Sequence, residues 1–525
     1  MKAKKKAILS LFKIIRESFY RIFSTIKYLY EGGYTDIIRT AVIIMIVSGP
    51  MVMQGCADSL ELLPPDGLVK DEYWQSKEDV EATLMGAYKG FADIDNRLFY
   101  YGELRGDMLI DDNNLQAELR NIMYSNVYPE NTWVNWKPIY EIINYCNTVL
   151  KYSGEVLAED PTFTEYKFEA FNAEAVFLRS LAYFYLVRVF DEVPFVLNPF
   201  DSDEEDFFLP KTSSEIILDS LSSQLVRIVP LIPEEYENID KTKGRATRGA
   251  VHSLLAEIAL WNFDYEKCIN HVDEVLDMEL YGLLPAGSWF TIFTMGNTLE
   301  GIFEIQFNSQ LGQNNSTYNI TLDNLNYLNA SDYAMDILSA ANTSEIVRGP
   351  GSVTENQNIW KYVGQSPDGQ SKRSGANARS CNWIVYRLPD VMLMKAEALC
   401  YTDRYEEAIA IVNQIRVRSF AQPITAYSNN PSAVEDIILE ERAKELAFEG
   451  KRWFDLLRMG RRDNYQRKED LIQILIRNVP ATQKRVLATK LNDPNGWFLP
   501  IHSDEIENNP NLVQNPYYSI YERDE

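Results

Sequence analysis

Thiols, imidazoles and carboxylates are the groups from which this chain could build a reaction. Its five cysteines stand at 56, 146, 268, 381 and 400, and its three histidines at 252, 271 and 502. No CxxC pair and no Cys/His cluster with zinc spacing occurs. His252 and His271 fall in helical patterns with no second histidine at i+4, so neither metal catalysis nor a histidine-based triad is indicated, and no cofactor is expected. GxSxG, a P-loop and a Rossmann GxGxxG are absent from the sequence. The 76 acidic residues nominate no particular pair for glycoside hydrolysis. The expectation is a binding protein, not an enzyme.

Cys56 differs from the other cysteines. It ends the stretch RTAVIIMIVSGPMVMQGC, a charged flank followed by an apolar run interrupted by Pro50 and then small or polar residues. The run falls short of the roughly 20 apolar residues of a transmembrane helix and fits a secretory signal. Gly55 directly before Cys56 resembles a lipobox, in which the thiol is diacylated and becomes the new N-terminus, although Met53 stands where Leu is commoner. Ala57, Asp58 and Glu61 resemble an acidic surface-export signal. Cys56 is therefore the candidate lipidation site, and the membrane a partner through that anchor. Cys146, Cys268 and Cys400 lie in apolar helical patterns and read as small core residues.

The other available chemistry is recognition. A sugar ring stacks its C–H face on an aromatic ring, while its hydroxyls need Asn, Gln or Asp. That calls for an aromatic in a polar, exposed loop. Tyr100 and Tyr101 before ELRGD, Trp133 in PENTWVNW, and Tyr318 and Tyr327 within an Asn-rich stretch meet this description. Trp289, Trp360 and Trp383 sit beside apolar runs and read as core. Asp111, Asp112, Asn113 and Asn114 could ligate calcium, but EF-hand spacing is lacking, so a solvated loop is expected there.

Net charge is −25 over 525 residues, yet residues 1–39 carry nine Lys/Arg against three Asp/Glu, leaving the remainder at −31. So acidic a body argues against nucleic acid as a partner, because phosphate contacts need a basic face. Within residues 1–38, Ile8, Leu11, Phe12, Ile15, Phe19, Ile22, Phe23 and Ile26 form an apolar stripe with basic residues between. This reads as a basic amphipathic helix or an extended signal n-region; the latter is the simpler reading.

The positioning elements are mainly helical. Ser76, with Asp79 three residues on, marks a helix start. Trp136 to Leu150 and Glu174 to Phe195 follow helical periods. Residues 256–275 repeat at 396–415, offset by 140: Ala256/Ala396, Glu257/Glu397, Tyr265/Tyr405, Ile269/Ile409 and Val272/Val412 correspond. A small residue at a crossing, an aromatic at a turn and aliphatics on the return helix make a tetratricopeptide-like hairpin. The helix at 173–190, with Ala182 at the crossing, is a plausible third copy. GIFEIQF (301–307) alternates as a half-buried strand should. From about 283 to 380 the chain is rich in loops, where a binding surface can vary away from the scaffold. The expected fold is all-α in the main: a tetratricopeptide-repeat scaffold, interrupted by long loop insertions, with a few short strands.

In Leu439 to Met459, Leu439, Ala443, Leu446 and Ala447 share a helix face, the opposite face is charged, and Gly450 stands where a C-cap would sit. Trp453, Phe454 and Tyr405 read as core. The order ER-x-x-ELAFEG-x-RWFDL-x-R resembles the signature of the SusD/RagB family of outer-membrane nutrient-binding lipoproteins. So do the W-x-x-x-Y-x-x-I-x-x-x-N pattern from Trp136, the R-x-x-AYF-x-LVR segment at Arg179 to Arg188, and the closing LPIHSDEIENNPNLVQNPYY. His502 and Tyr517 depart from the family's usual Pro and Gly. The resemblance implies a cell-surface lipoprotein that acts as lid of a SusC-like TonB-dependent transporter and binds an oligosaccharide, or a non-glycan nutrient such as peptides. The competing reading is a tetratricopeptide scaffold that binds only protein. The expected organisation is residues 1–55 as extension and lipoprotein signal, 56–245 as the family's N-terminal region, and 246–525 as its C-terminal region with the repeats and ligand-side insertions.

Overall fold

The computed structural model describes residues 73–111, 114–200, 208–322, 328–339, 345–375 and 377–519. Cys56 and Tyr327, together with Asp112 and Asn113, lie outside these residues. From Trp74 onward the chain forms one compact unit, and the expected division at 245/246 falls within it.

Helix α1 (Lys77–Asp93) opens as its sequence indicates, with Ser76 N and Oγ both donating to the Asp79 carboxylate at 2.8 and 2.7 Å. After α2 (Asp95–Glu103) and a short strand β1 (Leu109–Asp111) come two long helices, α3 (Lys137–Glu159) and α4 (Glu165–Phe190). Then follow α5 (Ser214–Ile228), α6 (Arg248–Trp261) and α7 (Tyr265–Asp277). Consecutive long helices pack side by side from α3 to α7, and α1 covers α3. Small buried residues let the backbones approach, among them Ala182 on α4 and Ala256 on α6.

The insertion contributes strands β2 (Gly301–Ile305), β3 (Leu328–Ala330) and β4 (Trp383–Arg387). β1 pairs antiparallel with β3, Leu109 opposite Ala330. β2 pairs antiparallel with β4, Gly301 opposite Arg387 and Glu304 opposite Ile384, with register shifts between. The scaffold resumes as α8 (Leu388–Cys400) and α9 (Tyr405–Arg418), then α10 (Pro431–Glu445), α11 (Arg452–Tyr465), α12 (Lys468–Ile476) and α13 (Ala481–Leu491). Fold class is thus all-α in the main on a repeat scaffold, with few short strands.

In sequence the two repeats are interrupted; in space they are not. α7 packs directly on α8, and Tyr265 stacks on Tyr401 at 5.2 Å. Both turns are built alike. Phe263 and Asp403 have φ of +62° and +59°, and Asp264 N and Arg404 N donate to Ala259 O and Leu399 O at 2.8 and 2.9 Å. Glu257 and Glu397 also correspond: Glu257 is paired with Arg188 at 2.6 Å, and Glu397 with Arg458 at 2.6 Å. Trp453 and Phe454 are core, whereas Tyr405 is only half-buried, its hydroxyl donating to Asp403 at 2.6 Å at the turn. Trp289, Trp360 and Trp383 are core, as are Cys146, Cys268, Cys381 and Cys400. The strand at 301–305 is buried on both faces instead of one, because Glu304 finds partners inside: Asn297 N at 2.9 Å and Asn382 Nδ2 at 2.8 Å.

The charged face of α10 is buried, not solvated. Arg348 pairs with Glu345, Glu441 and Glu445 at 2.8, 2.6 and 3.0 Å. Arg387 pairs with Glu300, Glu445 and Glu449 at 3.2, 2.6 and 2.8 Å. Arg442 bridges Asp390 and Asp455 at 2.8 and 2.7 Å. Burial alone would raise the Asp390 carboxyl, but Lys451 and Arg442 beside it bring it down to about 2. Such pairs add little net stability over apolar packing, yet none can lose one partner cheaply. Lys444, itself buried, pairs with Glu440 one turn before it at 2.6 Å. α10 ends at Glu445 with Leu446 as C-cap, so Gly450 is not the cap. It serves a later turn in which Phe448 and Gly450 adopt φ of +64° and +73°. There Gly450 N and Lys451 N donate to Glu103 Oε1 at 2.8 and 3.2 Å, which docks the start of α11 onto α2.

Candidate functional site

Three of the aromatic candidates meet at one corner. Tyr100 and Tyr101, expected in a loop before ELRGD, are adjacent within the helix α2. Consecutive helical residues point about 100° apart, and the two rings part accordingly. Tyr101 turns inward, its ring edge-on to Phe190 at 6.4 Å and its hydroxyl donating to Trp133 O at 2.7 Å. Tyr100 meets Trp133 edge to face at 4.8 Å and 83°.

Trp133 sits in a single 3-10 turn, Thr132–Val134, whose cap Asn131 accepts from Trp133 N at 2.9 Å. Arg97, one turn before Tyr101, donates to Trp133 O at 2.9 Å and to Thr132 O at 3.2 Å, and its guanidinium lies 5.2 Å from the Trp133 ring centroid. The turn is fixed from outside by Glu118, which accepts from the Thr132 hydroxyl at 2.6 Å. The result is a half-buried indole held from several directions, a rigid platform of the kind stacking requires. Its chain neighbours Thr132 and Asn135 remain exposed and partly exposed.

Tyr318 joins this region only indirectly. Its hydroxyl donates to Arg373 O at 2.8 Å, tying the Asn-rich stretch to the 364–379 loop. The same stretch docks on α2 through Ser316 N, which donates to the Asp95 carboxylate at 2.5 Å. Burial pushes the Asp95 carboxyl up to about 6, against the pull of those donors. The expectation of exposure is corrected for Tyr100, Tyr101 and Tyr318, which are 7%, 2% and 8% exposed. For Tyr101 and Tyr318 the reason is a backbone carbonyl that satisfies the hydroxyl and lets the ring enter the core. Trp133 keeps partial exposure. Asp111, a calcium candidate, is instead paired with Arg120, and among the described residues no group of three or more His, Cys, Asp or Glu could hold a metal ion.

A cleft of about 720 Å³ between α1, the 239–244 turn and the strand pair escapes sequence reasoning. Its wall is an amide cluster drawn from distant positions. Gln306 Nε2 donates to Asn297 Oδ1 at 2.8 Å, Asn382 Nδ2 to Gln306 Oε1 at 3.1 Å, and Asn297 Nδ2 to Asp240 at 2.7 Å. Both amino protons of Asn297 and Gln306 are used within the protein. The wall is therefore structural, and Asn308, whose Oδ1 accepts from Gln310 N at 3.0 Å, and the exposed Gln313 stand at the rim. A second groove, about 840 Å³, runs between α5 and the α6–α7 hairpin, with Asp219, Lys267 and His271 along it.

Two family models match the chain. One described as SusD family covers residues 290–518, and one described as starch-binding associating with outer membrane covers 59–260. SusD-like protein P38 of Formosa agariphila is 24% identical over 78% of this chain and 89% of its own length. SusD-like protein P25 of the same organism is 24% identical over 87% and 95%. Among solved structures, a SusD superfamily protein from Bacteroides vulgatus superposes with a TM-score of 0.70 at 19% identity, over 85% of this chain and all 100% of that one. The surface glycan-binding protein A from Bacteroides uniformis gives 0.67 at 22% identity, over 84% and 100%.

Proposed function

Because this chain belongs to the SusD family, we propose that it is a cell-surface lipoprotein that binds an oligosaccharide and, as the lid of a SusC-like TonB-dependent transporter, delivers it across the outer membrane without reacting on it. The observation that carries this reading is the order and extent of the two family matches, 59–260 and 290–518. The description of the first as starch-binding and associating with outer membrane supports both ligand class and location. Acylation of Cys56 supplies the anchor: one acyl chain holds a protein only marginally, whereas several hold it firmly. In Cys56→Ala the protein should stay unprocessed or soluble, and unchanged acylation and membrane retention would refute the anchor.

Trp133 is the proposed stacking surface, with Thr132 and Asn135 beside it in the chain for hydroxyls. The form lacking residues 1–56 should bind members of a glycan panel by calorimetry, and Trp133→Ala should weaken that binding by about 2–10-fold. Full-length protein should co-purify from outer membrane with a transporter. Binding to peptides alone would move the ligand class to another nutrient. Absence of both glycan binding and a co-purifying transporter would overturn the reading. The groove along α5–α7 favours one further role, protein docking, and substitutions there would then lower co-purification while leaving glycan affinity intact.

A further inference from the structure

Arg105 is a buried cation without a counter-ion. It follows α2 in the ELRGD turn and is 6% exposed. Its Nη1 donates to Trp497 O at 2.5 Å, its guanidinium lies 4.3 Å from the Trp453 ring centroid, and its Nη2 has no partner. Arg348, Arg387, Arg442, Arg452, Arg458 and Arg462, also buried, each face at least one carboxylate within 3.2 Å, and buried Arg179, which faces none among the described residues, is bonded instead to the Asn147 and Gln224 side-chain oxygens at 2.7 and 2.6 Å. Burying a charge without a partner is among the most costly arrangements a fold can hold. Here burial pushes the guanidinium down to about 10, with only Tyr518 and Tyr101 acting against it.

Arg105 lines a small pocket of about 30 Å³ together with Leu109, Tyr124, Ser125, Trp453, Asn478 and Leu491. α13, which supplies Leu487 and Leu491 to this lining, also carries Lys490, a half-buried amine that burial depresses. Lys490 donates to the Asn126 side-chain oxygen and forms no salt bridge among the described residues. Arg105 is thus the one cation among the residues lining this space. A space of this size suits a water molecule or a monatomic ion.

We propose that this cavity binds a single halide, chloride under physiological conditions, which neutralises Arg105 and thereby secures the ELRGD turn against the start of α11. The anion binds the folded state alone, so it stabilises by mass action. Chloride should raise the thermal midpoint of the form lacking residues 1–56 along a saturating curve, relative to gluconate at equal ionic strength. Bromide should do the same, and Arg105→Gln should abolish the chloride-specific part. A wild-type midpoint indifferent to the choice of anion, or a chloride effect retained in Arg105→Gln, would overturn the proposal. If Arg105→Gln does not fold, wild-type crystals grown in bromide decide the matter by anomalous scattering. A peak within hydrogen-bond distance of Arg105 Nη2 supports the site; a water there, or empty density, refutes it.

Discussion

Gly450 separates two costs that are usually confounded, and substituting it by Ala measures one of them. Its φ of +73° is a left-handed conformation, which costs an L residue roughly 1–2 kcal/mol. A Cβ there would also stand 2.8 Å from Trp383 Cζ2 and 3.1 Å from Leu98 O. Neither neighbour can yield easily, since one is a buried indole and the other a helix carbonyl. Overpacking of this kind adds about 1–3 kcal/mol. Gly312 provides the control, with φ of +77° and nothing within 4 Å of the same imagined atom. Gly312→Ala should therefore lose roughly 1–2 kcal/mol and Gly450→Ala roughly 2–5 kcal/mol. Urea unfolding at unchanged m-value reads both. Equal losses in the two variants would refute the claim that Gly450 is required by close packing and leave only its backbone conformation.

Arg442→Met leaves Asp390 and Asp455 buried without their shared partner and should cost about 3–5 kcal/mol, read by the same denaturation. Trp453→Ala should lose about 3–5 kcal/mol as a core truncation; a variant that melts like wild type would show the residue is not core. Burial holds the Asp95 carboxyl at about 6 against an ordinary 3.8, so the folded state binds its proton more tightly than the unfolded chain does. Its contribution is full below pH 3.8 and is lost as pH rises through 6. Wild type should thus lose stability relative to Asp95→Asn across that window, and a pH-independent difference would refute the assignment.

The repeat was legible because its determinants are local. Ala256 and Ala396 recur at helical crossings, and even the left-handed turn residues Phe263 and Asp403 keep the offset of 140. Direct stacking of the two hairpins was not legible, because it depends on β2 finding β4 across the intervening chain. The burial of Tyr101 depends likewise on a carbonyl 32 residues away. Charge patterning misleads for α10 for a related reason. Glu441 and Glu445 look like a solvated face until Arg348 and Arg387 arrive from distant segments to pair them. Trp133 is partly exposed, as its polar surroundings in PENTWVNW suggest, but the Arg97 and Tyr100 contacts that fix it have no local sequence signal. Arg105 carried no signal at all, since an unpaired arginine is defined by what the fold fails to bring near it.

The pairing of Gly301 with Arg387, reinforced by Leu388 N donating to Glu300 O at 2.8 Å, closes the long segment between α7 and α8 at its own base. Once the ends of a flexible segment are pinned together, doubling its length costs only about 0.6 kcal/mol in closure entropy. Between β2 and β4 that tolerance belongs to the loops alone, because Arg348 is locked to Glu441 and Glu445 and β3 to β1. The opposite holds at the junction of α2 and the Gly450 turn, where a Cβ on Gly102 would lie 1.9 Å from the Gly450 carbonyl. Tolerance of length change and intolerance of a single methyl group thus sit side by side in one molecule.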